Sequence, residues 1–218
     1  MDITSIITQL AEGMVITLEM FILTLVFSLP LGLVVSFCRM SKNVVIRSIA
    51  KLYISVMRGT PLMLQLLVVY FGPYYLFNIS ISSGYRFPAA IIAFVINYAA
   101  YFAEIYRGGI ESMEVGQYEA AQILGFSKVQ TFFRIILPQV IKRILPSVTN
   151  EIITLVKDTS LAYAIAVTEM FTLAKQIAAA HTTMLPYIAA GIFYYIFNAI
   201  VAYIMEYVEK RFNYYTNK

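Results

Sequence analysis

Charge is scarce in this chain: Asp, Glu, Lys and Arg make up 13% of its 218 residues, while hydrophobic residues supply 60%. Mean hydropathy is +0.75, which leaves too little polar surface to cover a soluble globule and points to an integral membrane protein. Cysteine is almost missing. The single one, Cys38, lies in an apolar run, so an internal disulfide and a Cys-rich metal site are excluded and packing is its expected role. Histidine is as sparse: His181 has no metal-ligand partner at helical spacing, which argues against zinc and against histidine-based catalysis. No G-x-x-x-x-G-K-[ST] string occurs, so the chain has no phosphate-cradling loop. The lack of S-x-x-K and G-x-S-x-G strings argues likewise against a membrane hydrolase. A basic n-region is lacking as well: Asp2 and Glu12 precede the first long apolar run, which reads as a retained helix and not as a cleaved signal.

What the chain has in quantity is apolar length. A spanning helix needs roughly 20 mainly apolar residues, and five segments qualify, at about 13–38, 50–78, 87–107, 140–167 and 184–208. Pro30, Pro61, Pro73 and Pro146 fall inside them, and kinks are expected there without a change in the count. The pI is near 9.0, yet the bases are dispersed through short connecting segments, which speaks for topology and against nucleic acid. Arg39, Lys42, Arg47 and Lys51 sit in one connection, and Arg107, Lys128, Arg134, Lys142 and Arg143 in another. Lys210, Arg211 and Lys218 sit in the tail, so twelve of the sixteen bases fall on one side. Only Arg86 and Lys175 fall opposite. The positive-inside rule then predicts an outer N-terminus, a cytoplasmic C-terminus and a cytoplasmic connection between the third and fourth spans.

That connection, at about 108–139, is long and patterned. "VGQYEAAQILGFSKVQTFFRIILPQ" predicts a short helix through Glu119 and Leu124, a break at Gly125, and a second helix capped by Ser127 and ending near Pro138. Leu124, Phe126, Val129, Phe132 and Phe133 give it apolar surface. An amphipathic helix lying on the lipid and a knob for a soluble partner's groove both fit such a surface.

Glu119-Ala120-Ala121, three residues, Gly125, nine residues, Ile135, one residue, then Leu137-Pro138 resembles the cytoplasmic loop of permease subunits of bacterial ABC importers. "RGTPLMLQL" (58–66), "NYAAYFAEIYRGGIESMEVGQ" (97–117) and "LPSVTNEIITLVKDTSL" (145–161) narrow the resemblance to the polar amino acid uptake permeases. It covers nearly the whole chain and is weakest around 168–186. It implies one all-α transmembrane domain over 1–218 with the five-helix type I importer fold, in the bacterial inner membrane. Such a subunit pairs with a second copy or a related permease, binds two ATP-binding cassette ATPase subunits, and receives an amino acid from an extracellular binding protein. It binds no cofactor itself; ATP and Mg belong to the ATPase. The resemblance further implies that Gly116, Glu119, Ala120, Ala121 and Gly125 dock into the ATPase. Their residue types suit docking, since the alanines permit close approach, Gly125 a sharp turn, and Glu119 an ion pair.

Ionisable groups inside spans are costly and mark candidate pathways; here they are Glu19, Arg58, Glu104, Glu151, Lys157 and Asp158. Asn97, Tyr101 and Glu104 share one helical stripe on the third span, and Glu151, Thr154 and Asp158 another on the fourth. Asp158 lies roughly 22 Å along a helix from Arg143, at about 1.5 Å per residue, so it is deep. From there the chain either continues through Val167 or turns back near mid-bilayer.

Two readings of the Lys157 to Ser160 cluster stand side by side. In one, Lys157 pairs with a carboxylate and Asp158, Thr159 or Ser160 caps a following helix. In the other, Asp158 and its stripe face a translocation path. Tyr98, Tyr101, Thr154 and Lys157 can donate to an amino acid, and Asn97, Glu104 and Asp158 can accept. Arg58 and Gln65 form a weaker stripe, with snorkelling to headgroups as the alternative for Arg58. Four acids against two bases inside the spans tilt the expected cargo weakly towards arginine, lysine or histidine. The expected function is ATP-driven import of a polar amino acid by alternating access, with an ion- or proton-coupled carrier as the alternative.

Overall fold

The computed structural model describes residues 2–212; of the residues named above, Lys218 lies outside that range. Every regular element among them is helical. Helix α1 spans Ile3–Arg39, α2 Val44–Gly59, α3 Leu62–Phe77 and α4 Arg86–Glu111. Helix α5 spans Val115–Ile123 and α6 Lys128–Thr131; a π-helical turn over Phe132–Ile136 then leads into α7, Leu137–Asp158. A 3-10 stretch over Thr159–Ile165 precedes α8, Met170–His181, and α9, Leu185–Phe212.

The centre of the structure is the pairing of α1 with α4. On α1 the buried positions Gly13, Thr17, Met20, Phe21, Thr24, Ser28, Gly32 and Ser36 form a stripe of mostly small residues. Helix α4 answers with Ala89, Ala93, Ala99, Ala100 and Ala103 around Phe94, Tyr98 and Phe102. Small side chains let the backbones approach, as membrane helices do when lipid removes the hydrophobic drive. The approach is close: a Cβ on Gly32 would stand 2.8 Å from Phe102 Cβ and 3.0 Å from the Ala99 carbonyl oxygen.

Outer faces are apolar too. On α9, Ile188, Ile192, Ile196, Ile200 and Ile204 are exposed at every fourth position, a stripe suited to lipid or to another membrane subunit and untenable in water. Helices α1 and α9, and α4 together with the short turn before it, are each long and apolar enough to cross a membrane. The α2 and α3 pair would add a fourth crossing if counted together. Helix α7 is long enough but carries Lys142, Arg143, Glu151, Lys157 and Asp158, so it qualifies only if its polar face meets protein or a cavity.

Four boundaries depart from the sequence reading. The first helix starts at Ile3, ten residues before the expected 13. The 50–78 segment is two helices meeting at 110° and not one kinked span. Pro61 forces the residue before it out of the helical region, and Thr60 accordingly sits at φ −122°, ψ 147°. The 140–167 span ends as α-helix at Asp158; a 3-10 turn and Ala166 in the left-handed region (φ 55°) redirect the chain into α8. Finally, the second helix of the 108–139 connection does not end near Pro138. The π turn, in which the Leu137 amide donates to the Phe132 carbonyl, widens the helix just ahead of Pro138, where the ring would otherwise meet an α-helical carbonyl. Helical structure therefore runs unbroken from Lys128 to Asp158.

Candidate functional site: a polar rim and a projecting loop

Three helices supply the rim. Asp158, half-buried at the end of α7, accepts a hydrogen bond from the Tyr98 hydroxyl of α4 at 2.7 Å. Tyr98 itself is 1% exposed, so this contact meets the need of a buried hydroxyl for a partner. One turn along α4, Tyr101 lies beneath the Arg58 guanidinium of α2, 5.3 Å from the ring centroid. Arg58 is exposed yet within electrostatic reach of Glu104 and of Glu151, and Glu151 is in turn within reach of Asp158. Arg58, Glu151, Asp158 and the exposed Lys157 thus bring charges of both signs to this part of α2 and α7.

Lys157 does not pair with a carboxylate: among the described residues none lies within 4 Å, and its side chain is exposed. Nor do its neighbours cap a helix. Asp158 makes no side-chain cap, while Thr159 and Ser160 turn their hydroxyls back to the carbonyls of Val156 and Lys157 at 2.8 and 2.7 Å. The internal salt bridge and cap of the first sequence reading are therefore not found among the described residues. Thr154 is exposed beside Lys157 on α7.

Two members of the expected stripes are committed elsewhere. The Asn97 amide donates to Gln65 Oε1 at 2.9 Å and to the Met57 carbonyl at 3.1 Å. Gln65 in turn donates to the Met57 and Thr60 carbonyls at 2.9 and 3.1 Å. The two amides thereby satisfy carbonyls left over where α2 stops, and they hold the 110° elbow. Arg58 and Gln65 belong to different helices, so their expected stripe does not form. Glu104 lies in an arginine cluster, 2.6 Å from Arg107 and 3.7 Å from Arg39, with Arg107 also bonded to Glu111. Glu19 is exposed on α1.

The connection after α4 folds as a projecting hook. Ser127 caps α6 with a complete capping box: its hydroxyl accepts from the Gln130 amide, and the Gln130 side chain accepts from the Ser127 amide. Gly125 is left-handed at φ 79°, a conformation that glycine takes without steric cost. Gly116, Glu119 and Ala120 are exposed, whereas Ala121 is 1% exposed and packs inward. Ile123, Leu124, Val129 and Phe133 stand out at 85%, 73%, 66% and 61% exposure. The hook is held to the bundle by a reciprocal amide pair between Gln117 and Gln139 (3.0 and 2.7 Å). A further bond runs from Arg143 Nη1 to the Ser112 carbonyl at 2.8 Å, and Met113, Ile136 and Val140 form a small core beneath it.

One residue escaped the sequence reading. Glu169 is fully buried and caps α8, accepting from the Phe171 and Thr172 amides at 2.7 Å each, from Thr172 Oγ1 at 2.9 Å and from the Tyr194 hydroxyl at 3.0 Å. Glutamate is not among the favoured N-cap residues, and the only signal was an acid just before a short apolar run. Glu169→Ala would orphan buried donors at about 1–3 kcal/mol each. The expected result is a loss of roughly 3 kcal/mol or more, read as a fall in the thermal unfolding midpoint in detergent, with Glu169→Gln falling less. An unchanged midpoint for the alanine variant would refute a structural role for this carboxylate. His181 ends α8 and is exposed. No group of three or more His, Cys, Asp or Glu able to hold a metal occurs among the described residues.

The family described as "Binding-protein-dependent transport system inner membrane component" matches residues 5–214. The arginine transport system permease protein ArtQ of Bacillus subtilis (strain 168) is 38% identical over 215 residues, covering 97% of each chain. The L-cystine transport system permease protein TcyB of the same organism is 36% identical over 211 residues, 96% of this chain and 88% of that one. Among solved structures, an amino acid ABC transporter determined with histidines superposes with TM-score 0.86 at 32% identity, covering 97% of this chain and 99% of that one. The inward-facing MetNI methionine transporter, at 15% identity and TM-score 0.72, shares the fold, with 98% of this chain and 100% of that one covered.

Proposed function

The chain belongs to the binding-protein-dependent inner membrane component family, a permease subunit of bacterial amino acid ABC importers with the type I fold, and on that premise we propose how it works. It carries a polar L-amino acid into the cytoplasm by alternating access, with a basic side chain as the first cargo to test. Five crossings place the N-terminus outside and the α5 hook in the cytoplasm. The chain pairs with a second copy or a related permease, receives cargo from an extracellular binding protein, and docks two ATPase subunits that use ATP and Mg.

The observation that carries this reading is continuity: the Glu119 to Gly125 hook, exposed except at Ala121, leads through a short turn into the unbroken helix from Lys128 to Asp158. Docking at one end can therefore displace a rim carboxylate at the other. Tyr98, Tyr101, Arg58, Glu151, Thr154, Lys157 and Asp158 form the pathway rim, and Asn97 and Glu104 hold its framework. With Glu104 already neutralised by arginines, two acids face two bases at the rim. That balance suits the ammonium and carboxylate common to all amino acids and leaves side-chain preference mainly to the binding protein. The arginine and cystine transport assigned to the two relatives is compatible with such a shared backbone site.

The test is uptake by the assembled transporter in vesicles. Transport should follow ATP supplied on the hook's side and be indifferent to an ionophore. Uptake that collapses with the ionophore and ignores ATP would replace this reading with an ion-coupled carrier.

A further inference from the structure

We infer that this permease carries a binding site for an anionic phospholipid with a glycerol-phosphate headgroup, in a basic cavity between the start of α7 and the end of α9. The inference rests on the orientation proposed above, which puts both walls at the cytoplasmic membrane surface. The cavity measures about 1080 Å3, enough for a headgroup and the first part of its acyl chains. It lies away from the polar rim: none of its lining residues belongs to the Tyr98 and Asp158 constellation.

The lining has the polarity of a lipid. Leu137, Ile141 and Leu145 recur every fourth residue and make one apolar strip down α7. Arg134 and Lys142 flank that strip. Among the described residues neither base has a carboxylate within 4 Å, so both are available to a phosphodiester. Arg143 also lines the space but spends one guanidinium bond on the Ser112 carbonyl. The opposing acid, Glu209 of α9, takes the Thr149 hydroxyl, and its remaining lone pairs suit a glycerol hydroxyl. Basic pockets between helices on the cytoplasmic side favour anionic headgroups. A free phosphate would use the bases but leave the apolar strip in contact with water.

The experiment uses the assembled transporter in nanodiscs of phosphatidylcholine with and without phosphatidylglycerol, together with a photoactivatable phosphatidylglycerol. Phosphatidylglycerol should label peptides containing Arg134 to Pro146 and Glu209, and the label should be displaced by unmodified phosphatidylglycerol and not by phosphatidylcholine. Arg134→Gln combined with Lys142→Gln should weaken that labelling about tenfold, whereas Arg134→Lys with Lys142→Arg should retain it. Equal displacement by both lipids, displacement by inorganic phosphate alone, or undiminished labelling of the glutamine variant would each overturn the inference. So would labelling that occurs only after the ATPase is stripped away, which would assign the cavity to that partner. The wild-type mapping stands even if the glutamine variant fails to fold. ATP-driven uptake in the same membranes reports on the transport function separately: transport without lipid preference overturns only the lipid site.

Discussion

Glu119→Lys is expected to abolish ATP-driven uptake while leaving the chain folded and inserted. Glu119 sits mid-way along α5, exposed, and its side chain makes no hydrogen bond or ion pair to the rest of the described chain. The capping box at Ser127, the Gln117 and Gln139 pair and the left-handed Gly125 all lie elsewhere, so reversal of this charge disturbs nothing internal. If Glu119 meets a basic residue of the ATPase, the substitution sets like charges against each other at a cost of several kcal/mol, a loss on the order of a hundredfold or more. Two readouts are needed: uptake in vesicles, and co-purification of the ATPase. Sustained uptake with an intact complex would remove Glu119 from the docking surface, whereas a lost complex with a folded permease places it there.

The second large effect is expected at Asp158. Asparagine still accepts the Tyr98 hydroxyl, so Asp158→Asn removes a charge without orphaning a buried donor. A charge-assisted hydrogen bond to a cargo ammonium or guanidinium is worth about 1.5–3 kcal/mol, so apparent affinity should fall roughly tenfold to a hundredfold. Tyr98→Phe provides the control. It releases Asp158 from its only side-chain hydrogen bond among the described residues, and should alter affinity far less if the carboxylate itself contacts cargo. Unchanged kinetics for Asp158→Asn across several amino acids would leave the residue as a structural partner of Tyr98.

Much of this was legible beforehand because membrane helices advertise themselves. The apolar runs of α1, α4 and α9 need only length and composition, and Ser127 and Gly125 announce a cap and a turn by residue type. The place of Asp158 well along a helix from Arg143 followed from counting. What stayed hidden depended on partners distant in sequence. Pro61 reads as a kink or a break depending on whether the freed carbonyls find donors, and Gln65 and Asn97 supply them from α3 and α4. Pro138 reads as a stop until the π turn ahead of it is seen. Glu104 looked like the end of a pathway stripe because periodicity places a side chain on a face without revealing that two arginines already occupy it. Glu169 was missed for a related reason, since its four donors come from its own turn and from Tyr194 on α9.

The uninterrupted helix from Lys128 to Asp158 covers roughly 45 Å at about 1.5 Å per residue. If the ATPase docks on the hook at one end and cargo binds at Asp158 at the other, linkage through that helix makes the two sites thermodynamically reciprocal. Whatever factor the closed ATPase imposes on cargo affinity, cargo must impose on closure of the ATPase. On that proposal the permease would be a reporter as well as a conduit, signalling to the nucleotide sites that a substrate has arrived.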